Sequence, residues 1–325
     1  MNTPSKVSVI IPIYNVEKYI ERCIRSLFEQ TLDDIEYIFV NDCTPDKSME
    51  ILQRIIAEYP QRQTQIKIIE HKKNQGSATT RNTGINAATG IYTIHCDSDD
   101  WIELDMYEKM YNKAVDEDAD IVGCDFYEEH SKDRKYFKQN FPLNNVECIK
   151  NTLLGKLHSS VCNKLIKREL YILNHIHFPD GVNMWEDLTT MIQLYFYSRR
   201  ISYIPNAFYY YVQYNTDSIV TNINRKQLED TIDSCRIIEV FLKERGVFER
   251  YYMDFIERVF DAKSKMVSNS ELRDYPLWQS LWPEANRYIW KYHFSFYNKI
   301  MFNLADLGLF RLVEYMLKIK LFVKK

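Results

Sequence analysis

Residues 7–31, VSVIIPIYNVEKYIERCIRSLFEQT, carry the pattern on which the fold turns. VSVIIPI (7–13) is a continuous apolar run, as in a strand buried on both faces. In the segment that follows, Ile20, Cys23, Ile24, Leu27 and Phe28 recur at helical spacing, so one face of a helix over EKYIERCIRSLFEQ is apolar. A buried strand followed by a one-sided helix is the unit of a parallel sheet covered by helices.

The unit repeats downstream. IEYIFV (35–40) leads to a helix over DKSMEILQRIIAEY, and QIKIIE (65–70) leads to one over SATTRNTGINAA. GIYTIHC (90–96) precedes a helix around LDMYEKMYNKAVDED, and DIVGCDF reads as a further strand. This alternation predicts a doubly wound, mainly parallel α/β sheet. From Cys148 to Ser198 the pattern is helical, RRISYIPNAFYYYVQ (199–213) reads as one or two strands, and from Arg225 the chain is helical and rich in aromatics, interrupted at Pro276 and Pro283. The expected division is an α/β domain over residues 1–215 and a helical C-terminal region over 216–325.

In open α/β sheets, ligands bind beyond the carboxyl ends of the strands. Those ends carry Tyr14-Asn15, Asn41-Asp42, His71 to Arg81 and Asp97 to Asp100. The last cluster, in HCDSDDWIE (95–103), concentrates three carboxylates in four positions. If the run stays extended, Asp97 and Asp99 share one face. At about 6 Å their repulsion is roughly 0.7 kcal/mol in water and nearer 3 kcal/mol at an effective dielectric of 20. A buried pair therefore needs a counter-cation. The alternative is an acidic turn capping the helix that begins near Leu104, but that does not explain why four polar clusters fall on one edge of the sheet.

Composition bounds the classes. The chain has 325 residues, 46% hydrophobic and 27% charged, with a formal charge of −3, and offers no basic footprint for nucleic acid. Its seven scattered cysteines form no CxxC pair, which points away from a disulfide framework or zinc site and toward a reducing, cytoplasmic compartment. The N-terminus is a poor match to a signal peptide, and no run approaches 18 consecutive apolar residues, so no membrane span is expected. No GxGxxG follows the first strand and no GxxxxGK[ST] occurs, which argues against dinucleotide and P-loop sites. The Asp pair suits a hard divalent cation that bridges carboxylates to phosphate oxygens.

Five segments in order, VSVIIPIYNVEKYIERCIRSLFEQT, IFVNDCTPDKS, NQGSATTRNTGINAATG, HCDSDDW and MWED (184–187), resemble the family 2 glycosyltransferases, inverting enzymes of GT-A fold that use nucleotide-diphospho-sugars. The resemblance covers roughly the first 215 residues. It implies a UDP-sugar donor and a glycan or lipid-linked acceptor, with Pro12, Tyr14, Asn15 and Glu17 lining a uridine pocket and Asp42 accepting a hydrogen bond from uracil. It further implies Arg81 near the uracil and diphosphate, Asp97 and Ser98 beside the ribose and phosphates, and Asp99 holding Mn²⁺ or Mg²⁺. Asp187 matches the catalytic base. Where the family commonly has DDGS, this chain has Asn41-Asp42-Cys43-Thr44.

Asp187 falls in or before the first turn of a helix over LTTMIQLYFYS. A helix N-terminus favours the anion, so the expectation is an ionised base with no raised pKa. His175 and His177 have no neighbours to complete a metal set, and Tyr209, Tyr210 and Tyr211 are read mainly as strand packing, with sugar stacking as the alternative. In the C-terminal segment Leu309, Leu312, Val313, Met316 and Ile319 lie at helical spacing among Arg311, Lys318, Lys320, Lys324 and Lys325. That helix either makes peripheral contact with an anionic membrane surface or packs on the protein's own core. The rival functions are a sugar-phosphate nucleotidyltransferase, whose Gly-rich basic loop is missing from PIYNVEKYI, and a non-catalytic nucleotide-sugar-binding module, which would need no base.

Overall fold

The computed structural model describes residues 4–215, 224–269, 272–292 and 294–323. The chain divides into two compact units, Met1–Thr221 and Asn222–Lys325.

The first unit is built on a nine-stranded sheet. Its strands are β1 Val7–Ile13, β2 Ile35–Asn41, β3 Ile66–Glu70, β4 Tyr92–His95, β5 Trp101–Ile102, β6 Ile121–Glu129, β7 Arg134–Phe137, β8 Lys164–Lys167 and β9 Ile201–Val212. Their order is β3-β2-β1-β4-β8-β6-β9-β5, with β7 paired to β6. The helices of this unit are α1 Ile20–Phe28, α2 Ser48–Glu58, α3 Ser77–Ala87, α4 Met106–Asp116, α5 Asn145–Leu153, α6 Arg168–Leu173 and α7 Glu186–Tyr197.

β3, β2, β1 and β4 are parallel, as the alternation predicts. Val7, Val9, Ile10, Ile11 and Ile13 of β1 are fully buried, each burial being worth about 1.5–3 kcal/mol relative to exposure. Pro12 sits within this central strand without breaking it. Ile10 O accepts from Cys96 N on the β4 side, and by the period of two the missing N–H of Pro12 faces the same side, beyond the last pair Ile10↔His95.

Two expectations are corrected. The helical reading of Cys148–Ser198 misses β8, which runs antiparallel to both β4 and β6 and joins the two halves of the sheet. In addition, the DSDD segment is not an extension of β4: the strand ends at His95, and a turn over 97–100 is closed by Asp100 N donating to Asp97 O at 3.0 Å. The chain then pairs Trp101 with Tyr210 and Ile102 with Tyr209.

The second unit holds α8 Arg225–Glu244, α9 Phe248–Ser268, α10 Tyr275–Ser280, α11 Phe296–Asp306 and α12 Phe310–Val323. Pro276 lies in the first turn of α10 and Pro283 in that of a 3₁₀ segment, so both prolines open elements, where a missing N–H costs nothing. Among the described residues no helix is long and apolar enough to cross a membrane. On α12, Val313 is buried while Leu312 and Ile319 are exposed, as is Leu309 just before the helix; Met316 is half-buried. Lys324 and Lys325 lie outside the described residues, as does the side chain of Lys320.

Candidate active site

Polar groups gather at the carboxyl ends of β1, β2 and β4. Beyond β1, Asn15 adopts a left-handed conformation (φ 55°), and its N–H donates to Thr44 Oγ1 at 2.8 Å. Glu17 N donates to Asp46 Oδ2 at 2.8 Å, and Lys47 N donates to Glu17 Oε2 at 3.0 Å. Tyr14 is exposed, and Pro12 partly so. The loop after β1 is thereby laced to the loop after β2. Cys43, where the family commonly has Gly, is also left-handed (φ 58°), a conformation that costs an L-residue about 1–2 kcal/mol.

Asp42 is buried at the end of β2. Its Oδ1 accepts from Gln75 N at 2.9 Å and pairs with His71 Nδ1 at 2.7 Å, while Oδ2 accepts from Gly76 N at 2.8 Å. A carboxylate has about four lone-pair sites, so one remains. Gly76, with φ 87°, leads into α3, and a side chain there would collide with Asn183.

Arg81 extends from α3 into the interior and is 5% exposed. Its Nη2 donates to Asp97 Oδ1 at 2.8 Å, and its Nε lies 3.7 Å from Asp187 Oδ1. Nε and Nη1 have no hydrogen-bond partner. Burial acts against its charge, but Asp97, Asp187 and Glu186 hold its pKa well above the ordinary value. Arg81 is thus the counter-cation shared by Asp97 and Asp187. Neutral His95 lies beneath, its pKa driven well down by burial and then by Arg81.

The three aspartates diverge. Asp97 binds Arg81, and its second oxygen accepts from Cys162 Sγ at 3.5 Å. Asp99 accepts from Asn215 Nδ2 at 2.8 Å; burial first, and then repulsion from Asp97, raise its pKa to about 6. Asp100 points inward, taking Val212 N at 2.7 Å and the Tyr209 hydroxyl, so it ties the turn to β9. Ser98 is buried in the same turn.

Asp187 sits in the first turn of α7 behind Trp185, whose φ of 65° ends the preceding segment. Its Oδ2 accepts from Val161 N at 3.3 Å, and its Oδ1 has no hydrogen-bond partner. The expectation of an unraised pKa is corrected: burial raises it, outweighing Arg81. The helix N-terminus contributes only about 0.3–1 kcal/mol, which desolvation exceeds. The neighbouring Glu186 accepts from Ser77 Oγ at 2.9 Å and is pushed up to about 7 by burial and then by Asp187.

The structure thus brings together Arg81, Asp97, Asp99 and Asp187 from α3, the turn after β4 and α7. Tyr14, Asn15, Glu17 and Asp42 line the neighbouring loops. His175 and His177 enter no cluster of metal-ligating groups among the described residues. Tyr209 and Tyr210 are buried; Tyr210 is stacked on Trp101 at 3.5 Å, as strand packing predicts. Sequence reasoning missed Cys162, Asn215 and the Val161 amide, which lie outside any motif and reach the carboxylates only through the fold.

Comparison with known proteins bears on the same region. The sequence profile of "Glycosyl transferase family 2" matches residues 8–173. The chain belongs to this family. It is 36% identical over 212 residues to the uncharacterized glycosyltransferase EpsJ of Bacillus subtilis, a match spanning 63% of this chain and 60% of EpsJ. It is 30% identical over 250 residues to the glycosyltransferase GlyG of Streptococcus pneumoniae serotype 4, spanning 73% and 79% of the two chains. The crystal structure of S. aureus TarS 1–349 in complex with UDP-GlcNAc superposes with a TM-score of 0.73 at 20% identity, covering 97% of this chain and 92% of that one. The fold of this family 2 chain is therefore a GT-A-like mixed α/β sheet followed by an aromatic-rich helical region.

Proposed function

We propose that this protein is an inverting glycosyltransferase that moves a sugar from a UDP-linked donor to a hydroxyl of a glycan or lipid-linked acceptor. One observation carries the reading: buried Arg81 holds Asp97 and faces Asp187, whose Oδ1 is left without a hydrogen-bond donor. A carboxylate that takes one amide donor, beside a cation that sustains its charge, is equipped to accept a proton.

In the proposed reaction the acceptor oxygen attacks the anomeric carbon from the face opposite the diphosphate. The bond from that carbon to the diphosphate oxygen breaks with its electron pair leaving on the diphosphate, and the Asp187 carboxylate takes the hydroxyl proton. General base catalysis of this kind contributes about 10²–10⁴-fold. Arg81 sustains the ionised form of Asp187 while it orients Asp97. Tyr14, Asn15, Glu17 and Pro12 form the nucleoside side, with Asp42 as the acceptor for uracil, and Asp97 and Ser98 flank the phosphates.

The residues fit a divalent cation, Mn²⁺ or Mg²⁺. Asp99 offers a half-buried carboxylate repelled by Asp97, and ions of this class take one or two protein carboxylates and complete their shells with phosphate oxygens and water. Such an ion supplies Lewis-acid stabilisation of the departing diphosphate. The UDP-GlcNAc bound by TarS supports the donor class. The basic, partly exposed α12 is in keeping with peripheral membrane contact.

The test is Asp187→Asn. Transfer is expected to fall by about 10³-fold, with Mn²⁺-dependent UDP affinity, measured by calorimetry, nearly unchanged. Parental turnover in this variant removes Asp187 as the base.

A further inference from the structure

Lys164, the first residue of β8, is fully buried. Its Nζ donates to His158 O at 2.9 Å, Ser160 O at 2.6 Å and Asn163 Oδ1 at 2.8 Å. An ammonium has three N–H groups; all are committed, and every acceptor belongs to the single loop over 158–163. Asn163 is itself clamped, its Nδ2 donating to Cys124 O at 2.6 Å.

That loop serves the site. Its Val161 N–H is the hydrogen-bond donor to Asp187 Oδ2, and its Cys162 thiol donates to Asp97 Oδ2. We infer that Lys164 is a positioning residue for the base: it pins the 158–163 loop so that the loop amide fixes the Asp187 carboxylate through Oδ2, with Oδ1 turned to Arg81. The inference rests on Asp187 acting as the base.

A post of this shape needs no charge, since a Met side chain has similar length. The charge has a cost, because desolvating an ammonium requires several kcal/mol of compensation. The groups facing it are Cys124 on β6, Cys148 on α5, Cys162 on the loop and Asp187 on α7, with the Phe141 ring at 5.8 Å. Burial pushes all three thiols up, Cys124 to about 12, so near neutrality Asp187 is the charged one. The ammonium thus acts on Asp187 twice, through the loop and through space, favouring its ionised form. Burial lowers Lys164 itself to about 8. Above that pH the neutral amine keeps two donors, and its lone pair confronts one of the three acceptors.

The experiment compares the parent with Lys164→Met, Lys164→Arg and Asp187→Asn, measuring UDP affinity, thermal unfolding and kcat from pH 5 to 9.5. Lys164→Met is expected to bind UDP within about threefold of the parent, to lose about 10–100-fold in kcat, and to shift the acid limb of kcat upward by about one pH unit. The parent is expected to lose kcat above about pH 8, and Lys164→Arg, which stays charged, to show no such limb. Parental kcat and acid limb in Lys164→Met, or a flat parental profile from pH 7 to 9.5, overturn the inference. If Lys164→Met fails to fold or to bind UDP, Lys164→Arg decides: a parental alkaline limb that Lys164→Arg lacks sustains the inference, and a limb that Lys164→Arg keeps, or no limb in the parent, ends it. Retained transfer in Asp187→Asn instead removes the base assignment, whereas an inactive Asp187→Asn beside a fully active Lys164→Met removes only the role of Lys164.

Discussion

Asp42 and Asp187 both lie within the first unit near the same edge of the sheet, but they face opposite surroundings. Around Asp42, three donors from His71, Gln75 and Gly76 converge on one carboxylate; around Asp187, one amide at 3.3 Å serves one oxygen. The first arrangement is what a buried charge needs to be stable. The second leaves buried polar atoms on Asp187 and Arg81 unsatisfied, a cost that stability alone does not explain. The contrast separates a carboxylate fixed by three donors from one held by a single amide beside a guanidinium.

The sharpest way to break this contrast is Arg81→Met. It leaves Asp97 and Asp187 without their shared cation, and a loss of about 3–5 kcal/mol in unfolding free energy is expected, measured by urea denaturation. A loss below about 1 kcal/mol shows that the cluster is solvated and the comparison empty.

Neutralising carboxylates should then act with opposite sign in the two places. Asp42→Asn removes acceptor capacity from a satisfied group and should cost about 2 kcal/mol. Glu186→Gln removes a charge that the fold resists and should stabilise the protein at pH 8 by on the order of 1 kcal/mol. The sign follows from linkage: the carboxyl of Glu186 is raised from 4.5 to about 7 in the folded state, so between these values the native state binds more protons than the unfolded chain and stability declines as pH rises. Parental stability should therefore fall relative to Glu186→Gln across pH 4.5–7, and parallel curves would show that Glu186 ionises freely.

The smallest effect is expected at Cys43. Replacing it by Gly relieves the left-handed strain but loosens the unfolded chain, so a net gain of a few tenths to about 1 kcal/mol is expected. A loss above about 1 kcal/mol would indicate that the Cys43 side chain makes a contact worth more than the strain.

Much of the first half of the sheet was legible because its signals are local. Continuous apolar runs at 7–13 and 35–40 and helical spacing after them require no knowledge of neighbours. β8 was not legible, since KLIK is four residues long, sits among helical segments and carries a buried lysine that a pattern reader assigns to the surface. The aspartate cluster was found, but its split was not. Asp100 turns inward because Tyr209 and Val212 await it from a strand more than 100 residues away.

The sequence by itself determined the parallel core, the residue types at the strand ends and the chemistry they can hold, because periodicity and side-chain functionality are properties of the chain. Only the tertiary structure decided which carboxylates are satisfied and which are strained. Desolvation and Coulomb energies depend on burial and distance, and these come from segments as remote as α3, the turn after β4 and α7 meeting around one guanidinium.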